Sequence, residues 1–205
     1  VREAVRVLGT EWLLKSAYPH RLIHHGFIRT ARRIPFRRAV ADAVSGELTY
    51  FKALAGSIVF GRKLRRILDD QPMVGVLVPP AVGSMLSNVA LTMMGRVPVN
   101  LNYTSSPETL AGCARRCNIT HVLTSRRFLE RMPIQVPGKT ILLEEIRESV
   151  TLKDRLIGMF YALVMPVRCI ERSLGAPKKS ENDLATIIFF GAPRLRSRSE
   201  EHTSE

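Results

Sequence analysis

Few residues in this chain combine a type and a spacing that could do chemistry. Cys113 and Cys117 lie four apart, on one face of an expected helix, a spacing that could hold two ligands of a metal. No His or further Cys stands at a matching distance, and thiols are common core residues, so a metal site is not expected. His20, His24 and His25 cluster beside Arg21. No carboxylate is near in sequence, which predicts a surface group. A glycerolipid acyltransferase needs His followed five residues later by Asp. His25, Arg29 and Thr30 stand there instead. Val82-Gly83-Ser84 follows an expected strand and opens an expected helix, where backbone amides could face an anion. With one glycine it reads better as a plain strand-to-helix turn. No G-x-G-x-x-G, G-x-x-x-x-G-K-[ST] or G-x-S-x-G occurs. Asp183 to Phe189 reads as a buried strand, after which an α/β nucleotide-binding enzyme would place its phosphate loop. Gly191 to Ser197 shows no such loop.

The elements that would position these residues follow from periodicity. Glu3–Lys15, with Val5, Leu8 and Trp12 on one side, and Leu22–Arg33, with Leu22, Ile23, Phe27 and Ala31, predict two helices. Ala39–Asp42 and Glu47-Leu48 predict a strand pair about a Ser45-Gly46 turn. Thr49 should cap a helix to about Leu68, burying Leu54, Ile58, Leu64 and Ile67. Met73–Val78 is a continuous apolar run suited to a parallel strand covered on both faces. A helix over Val82–Met94 should end on Gly95 in a left-handed cap. Val97–Leu101 predicts a strand in which Pro98 implies an edge or strand-end position. Ser106-Pro107 should start a helix to Cys117. Further strands are expected at 120–124, 139–143 and 184–189, with helices at 126–132 and at 152–174, broken at Pro166. The alternation predicts an α/β fold, a mainly parallel sheet with helices on both faces, preceded by two helices outside the rhythm.

Composition narrows the function classes. The 205 residues are 45% hydrophobic and 24% charged, which is globular. Three cysteines make no disulfide framework, so a reducing, cytoplasmic setting is expected. The longest apolar run, Gly158–Val167, is half of the ~20 residues that a membrane span requires. The net charge is +13. Arginine pairs at 32–33, 37–38, 65–66, 115–116 and 126–127 are scattered and lack interleaved aromatics, which speaks against nucleic acid. Attraction to anionic lipid ranks next after a plain solvated surface. Met159–Val167, flanked by Arg155 and Arg168, could lie as an interfacial helix, but a buried core helix is the favoured reading.

Several segments are more specific than their chemistry. Ser45-Gly46-Glu47-Leu48-Thr49-Tyr50 resembles the "GELTY" opening of the adenylate-forming (AMP-binding) acyl-activating superfamily. Gly75–Val78 with Pro79-Pro80 resembles its "V-x-L-L-P-N" strand, with Pro80 in place of Asn. Ala90–Asn102 resembles its "G-A-x-x-V-P-L-N" segment. Ser106–Leu110, His121–Ser125 and Asp183–Phe189 match the elements that follow in order. Val97–Thr104 and Thr124–Leu129 look most like the acyl-carrier-protein synthetase, or long-chain acyl-CoA ligase, half of bifunctional 2-acylglycerophosphoethanolamine acyltransferases.

The resemblance implies an acid–thiol ligase. A fatty acid carboxylate attacks the α-phosphate of ATP, with Mg²⁺, and acyl carrier protein or coenzyme A takes the acyl group. It implies a domain layout of a 1–35 helical linker or tail of a preceding domain and a truncated adenylating domain over 36–190, which leaves 191–205 as a non-native or disordered tail. It implies that Thr49, Gly95, Pro98 and Asn100 are scaffold, shaping turns and strand ends. The phosphate loop is expected just after Phe189, so no catalytic, cofactor-binding or metal residue is assigned, and this chain alone is expected to be inactive. Arg198–Glu205 also resembles the translation of a sequencing-library adapter, and is expected to be foreign and unpacked. The alternative is a basic, non-enzymatic module that binds anionic membrane or an acidic carrier protein. Peripheral association with the inner face of the membrane suits either reading.

Overall fold

A computed structural model describes residues 22–43, 46–68, 70–180 and 182–189. The expected helix at Glu3–Lys15, Ser45 of the expected turn, and the tail at 191–205 lie outside the described residues. Helix α1 (Ile23–Arg33) leads into a hairpin, β1 (Arg38–Asp42) antiparallel to β2 (Gly46–Thr49), with Asp42 opposite Gly46 and Arg38 opposite Thr49. Gly46 has φ +75°, which a side chain would disfavour at this corner.

Helix α2 (Tyr50–Leu64) starts as the sequence predicts, with Thr49 Oγ1 accepting from Lys52 N at 3.4 Å. It ends at Leu64 rather than Leu68. Residues 65–67 form a turn, so Ile67 is 39% exposed instead of joining Leu54, Ile58 and Leu64 in the core. The remaining elements are β3 (Met73–Val76), α3 (Val82–Met93), β4 (Val97–Asn100), α4 (Pro107–Arg116), β5 (His121–Thr124) and α5 (Arg126–Arg131). They are followed by β6 (Lys139–Leu142), α6 (Leu143–Glu148), α7 (Leu152–Val164), α8 (Val167–Ser173) and β7 (Ile187–Ile188). Pro166 stands at the α7–α8 break, and α6 was not foreseen from the sequence.

The five strands β6-β5-β3-β4-β7 form a parallel sheet. Side chains alternate across it and feed two cores. Val74, Val76, Leu123 and Ile141 pack with Leu54, Ile58, Leu91 and Ile170, and Ile28 and Ala31 of α1 are buried in the same layer. Val99 and Val122 face Leu110, Ala114 and Phe128 of α4 and α5. Gly75 lies on that second face, where a Cβ would come within 2.9 Å of Val122 Cγ2. Helices therefore cover both faces, as the alternation predicts. Gly95 closes α3 with φ +67°.

Two expectations change. β4 is an interior strand, so of the edge and strand-end positions expected for Pro98 the edge is overturned, and Pro98 stands second in the strand. Val97 N and Leu101 N donate toward β3, to Pro72 O and Val76 O, so Pro98's missing N–H points to the β7 side. There β7 pairs only from Val99 onward, so no ladder bond is lost. The last strand is two residues long, not six, and it is largely exposed. Leu184 and Ile188 are 58% and 54% accessible, because β7 is the sheet's edge and has one described neighbour. No helix among the described residues is long and apolar enough to cross a membrane.

Candidate functional site

After β3 the chain steps sideways to β4, then returns past β3 to lay down β5 and β6. Open parallel sheets bind ligands outside the carboxyl ends of strands at such a reversal. This edge carries the Val82-Gly83-Ser84 candidate, and several of its polar groups are already engaged. Val82 N, at the start of α3, donates to Asp42 Oδ2 at 2.7 Å. A carboxylate from the chain itself therefore sits at the end of α3 where Val82-Gly83-Ser84 could have met an anion. A Cβ on Gly83 would meet Leu143 Cδ1 at 3.0 Å, so the turn is also closely packed.

Beside β5, Ser125 Oγ and Arg126 N donate to the two oxygens of Glu144 at 2.8 and 3.0 Å. Burial would raise the Glu144 carboxyl. The backbone and hydroxyl donors outweigh it and hold its pKa below the usual range. Thr124 Oγ1 donates to Leu77 O at 2.8 Å, closing β5 on β3.

The β4–β7 end is a polar clasp. Asn88 on α3 and Asn100 at the end of β4 exchange amide bonds of 3.1 and 2.9 Å. Asn100 Nδ2 also donates to Thr186 Oγ1 at 3.2 Å, and that hydroxyl donates to Pro98 O at 3.0 Å. Phe189 N reaches Asn100 O at 3.3 Å. Asn100 thus ties Thr186 and Phe189, on either side of β7, to the carboxyl end of β4. The resemblance assigned Asn100 and Pro98 to the shaping of turns and strand ends, and here the Asn100 amide and the Pro98 carbonyl bond to Thr186 beside β7. These amides and hydroxyls bond to each other and to backbone, so they suit holding a strand rather than a triphosphate or a metal ion.

A second cluster lies away from the edge. His24 and His25, at the start of α1, each place Nε2 2.7 Å from Glu171 Oε1 on α8. His24 is buried, at 5% exposure. This corrects the expectation of a surface histidine group without a carboxylate. The acid comes from residue 171, a pairing with no local signal in the sequence. His20 lies outside the described residues. Burial lowers the His24 pKa against the pull of Glu171, so neutral His24 donates Nε2–H to the carboxylate. Burial would raise Glu171, but bonds from both rings outweigh it and lower its pKa. His24, His25 and Glu171 are the one group among the described residues with three ligand atoms close enough for a metal ion.

Cys113 and Cys117 are half-buried beside the second core, with no such grouping. Burial, then the neighbouring Cys113, pushes the Cys117 thiol up, away from thiolate chemistry. The arginine pairs divide between the two layers. Arg32-Arg33 closes α1 on one side of the sheet, and Arg115-Arg116 closes α4 on the other.

No family model matches the chain. It is similar to 4-coumarate–CoA ligase-like 3 of Oryza sativa subsp. japonica, 24% identical over 186 residues, an alignment covering 86% of this chain and 31% of that protein. The chain thus spans about a third of that relative's length. Among solved structures, VinN in complex with 3-methylaspartate superposes with a TM-score of 0.63 at 18% identity, covering 83% of this chain and 44% of VinN. The N-terminal subdomain of Klebsiella oxytoca NpsA gives 0.55 at 14% identity, covering 63% and 33%. The nonribosomal peptide synthetase FmoA3, bound to α-methyl-L-serine-AMP, gives 0.54 at 20% identity, covering 63% and 15%. The fold is that of the N-terminal subdomain of adenylate-forming enzymes.

Proposed function

We propose that this chain is the N-terminal part of an adenylate-forming acid–thiol ligase that activates a fatty acid and passes it to acyl carrier protein or coenzyme A. The observation behind it is the β4–β7 clasp. Asn100 and Thr186 set β7 so that the chain leaves it at the carboxyl edge of the sheet, beside the reversal of strand order. The matched motifs over 39–189 and the CoA ligase-like relative support the same reading. Residues 36–190 would be the beginning of the adenylating domain, and residues 1–35 the linker from a preceding one.

ATP and Mg²⁺ would be held by residues beyond Phe189, which would supply the charge neutralisation that α-phosphate attack demands. The described residues do not offer that set, and no step is assigned to them. Their part is to hold the strand and the sheet edge in place. The chain by itself is therefore expected to be inactive.

The test is the continuous genomic reading frame past Phe189 and the activity of its product. A Ser/Thr/Gly-rich loop ending Pro-Lys-Gly within ten or so residues, together with fatty-acid-dependent ATP–pyrophosphate exchange by the whole protein, is the expected result. A frame without that loop would remove the reading. Exchange catalysed by the purified 205-residue chain would refute its inactivity.

A further inference from the structure

Helix α7 is apolar on the side away from the core. Gly158 and Ala162 are its buried residues, the glycine pressed so closely on α2 that a Cβ would lie 3.0 Å from Ala55 O. The outward stripe is Leu152, Leu156, Met159, Phe160, Leu163 and Val164, exposed by 72, 56, 39, 53, 69 and 56%. Their spacing gathers them on one face across the full length of the helix. These six are half of the large exposed hydrophobics among the described residues, so the patch is a concentration rather than scatter.

Charge surrounds the stripe in one sign. Lys153 and Arg155 are exposed at its start, and Arg168 and Arg172 are exposed on α8 beyond its end. The acids of the same stretch are Asp154 and Glu171, and both are engaged. Asp154 pairs with Lys63 at 2.7 Å and closes the Thr151 capping box, and Glu171 is held by His24 and His25. Outward, α7 and α8 present apolar side chains between basic ends.

We propose that this face docks on an anionic lipid surface, with α7 lying in the plane of the interface. Leucine and phenylalanine side chains would enter the headgroup–acyl boundary while the four cations meet lipid phosphates. At 13 residues the helix is about 20 Å long, which suits lying flat and not spanning. Charge decides against a second copy of the chain as the occupant, because a symmetric pairing would set four cations against four. The inference stands apart from the ligase reading and holds whether or not the parent is an enzyme.

The test is co-sedimentation of the 205-residue chain with vesicles of phosphatidylcholine alone or with one-third phosphatidylglycerol, at low and high salt. Binding should favour the anionic vesicles by about tenfold and weaken as salt screens the cations. Leu156→Glu with Phe160→Glu should lower it by about tenfold or more, as should Leu163→Asn to a smaller degree, with thermal unfolding unchanged because these side chains are exposed. Arg155→Glu with Arg168→Glu should abolish the preference for phosphatidylglycerol. Equal binding by the Leu156/Phe160 variant, or no binding to anionic vesicles at low salt, would overturn the proposal. So would self-association of the wild-type chain that this variant abolishes, since that would put a second copy on the face.

Discussion

At the residue scale, the contact with the clearest consequence is the one that joins His24 and His25 to Glu171, because it titrates. The fold depresses the His24 pKa below its ordinary 6.5. Its contribution is therefore complete above that value and fades as pH falls, since protonation costs more in the fold than in the unfolded chain. Glu171 is also depressed, so its contribution is complete above the ordinary 4.5 and is lost on further acidification, along with those of Glu144 and Asp154. Thermal unfolding midpoints should hold steady above pH 7 and decline from about 6.5 downward. His24→Gln should flatten the limb between the two ordinary values, and Glu171→Gln should make the limb below 4.5 shallower, with Glu144 and Asp154 carrying the rest. A His24→Gln variant with the wild-type slope between those values would show that the imidazole carries none of it. The sequence displayed both rings and hid the partner, since a contact across 147 positions leaves no periodic trace. The clasp at Asn100 was half legible. Its place after a Val-Pro-Val run marked a strand end, but the amide exchange with Asn88 depends on how α3 lies against β4.

At the element scale, helix and strand identity was readable because apolar periods and caps act locally. Thr49, Ser106 and Gly95 bound their helices as residue chemistry requires. What failed was reach. Ile67 and Leu68 continue the apolar period yet the chain turns off the helix over 65–67, and Leu184 to Phe189 reads as a full strand yet pairs over two residues. Both failures lie where the tertiary neighbour, not local propensity, decides how far an element extends. Packing between helices was likewise invisible, and it sets opposite outcomes for two similar substitutions. Gly158 on α7 lies against α2, where an added Cβ would collide with Val59 Cγ2 and fall 3.0 Å from Ala55 O. Gly158→Ala should push the helices apart and destabilise by about 1–3 kcal/mol. Gly112 on α4 has nothing within 4 Å of that position. Gly112→Ala should stabilise by about 0.5–1 kcal/mol through the smaller backbone entropy of alanine. Urea unfolding of both variants checks the pair, and a loss at Gly112 equal to that at Gly158 would refute the packing argument.

At the scale of the whole molecule, the question is whether the sheet stands without its edge. β7 adds two paired residues, Leu184 and Ile188 remain mostly exposed, and only Ile187 and Phe189 lean on the second core. The two cores instead rest on β3, β4, β5 and β6 with the helices on either side, and the buried side chains of both precede residue 175. Ending the chain after Ser180 removes the Thr186 bonds to Asn100 and Pro98 and uncovers the outer edge of β4, but leaves the Asn88–Asn100 exchange in place. The shortened chain should keep a single cooperative transition, lowered by about 1–3 kcal/mol for the lost hydrogen bonds and part-buried apolar area. It should also associate more readily, since β4 would then offer unpaired backbone groups along a buried-type strand. Circular dichroism during urea unfolding, with light scattering at rising concentration, measures both. A broad, non-cooperative transition would mean that β7 is integral to the core. In that case β7 would be held by the folding of the whole sheet rather than by the clasp of Asn100 and Thr186.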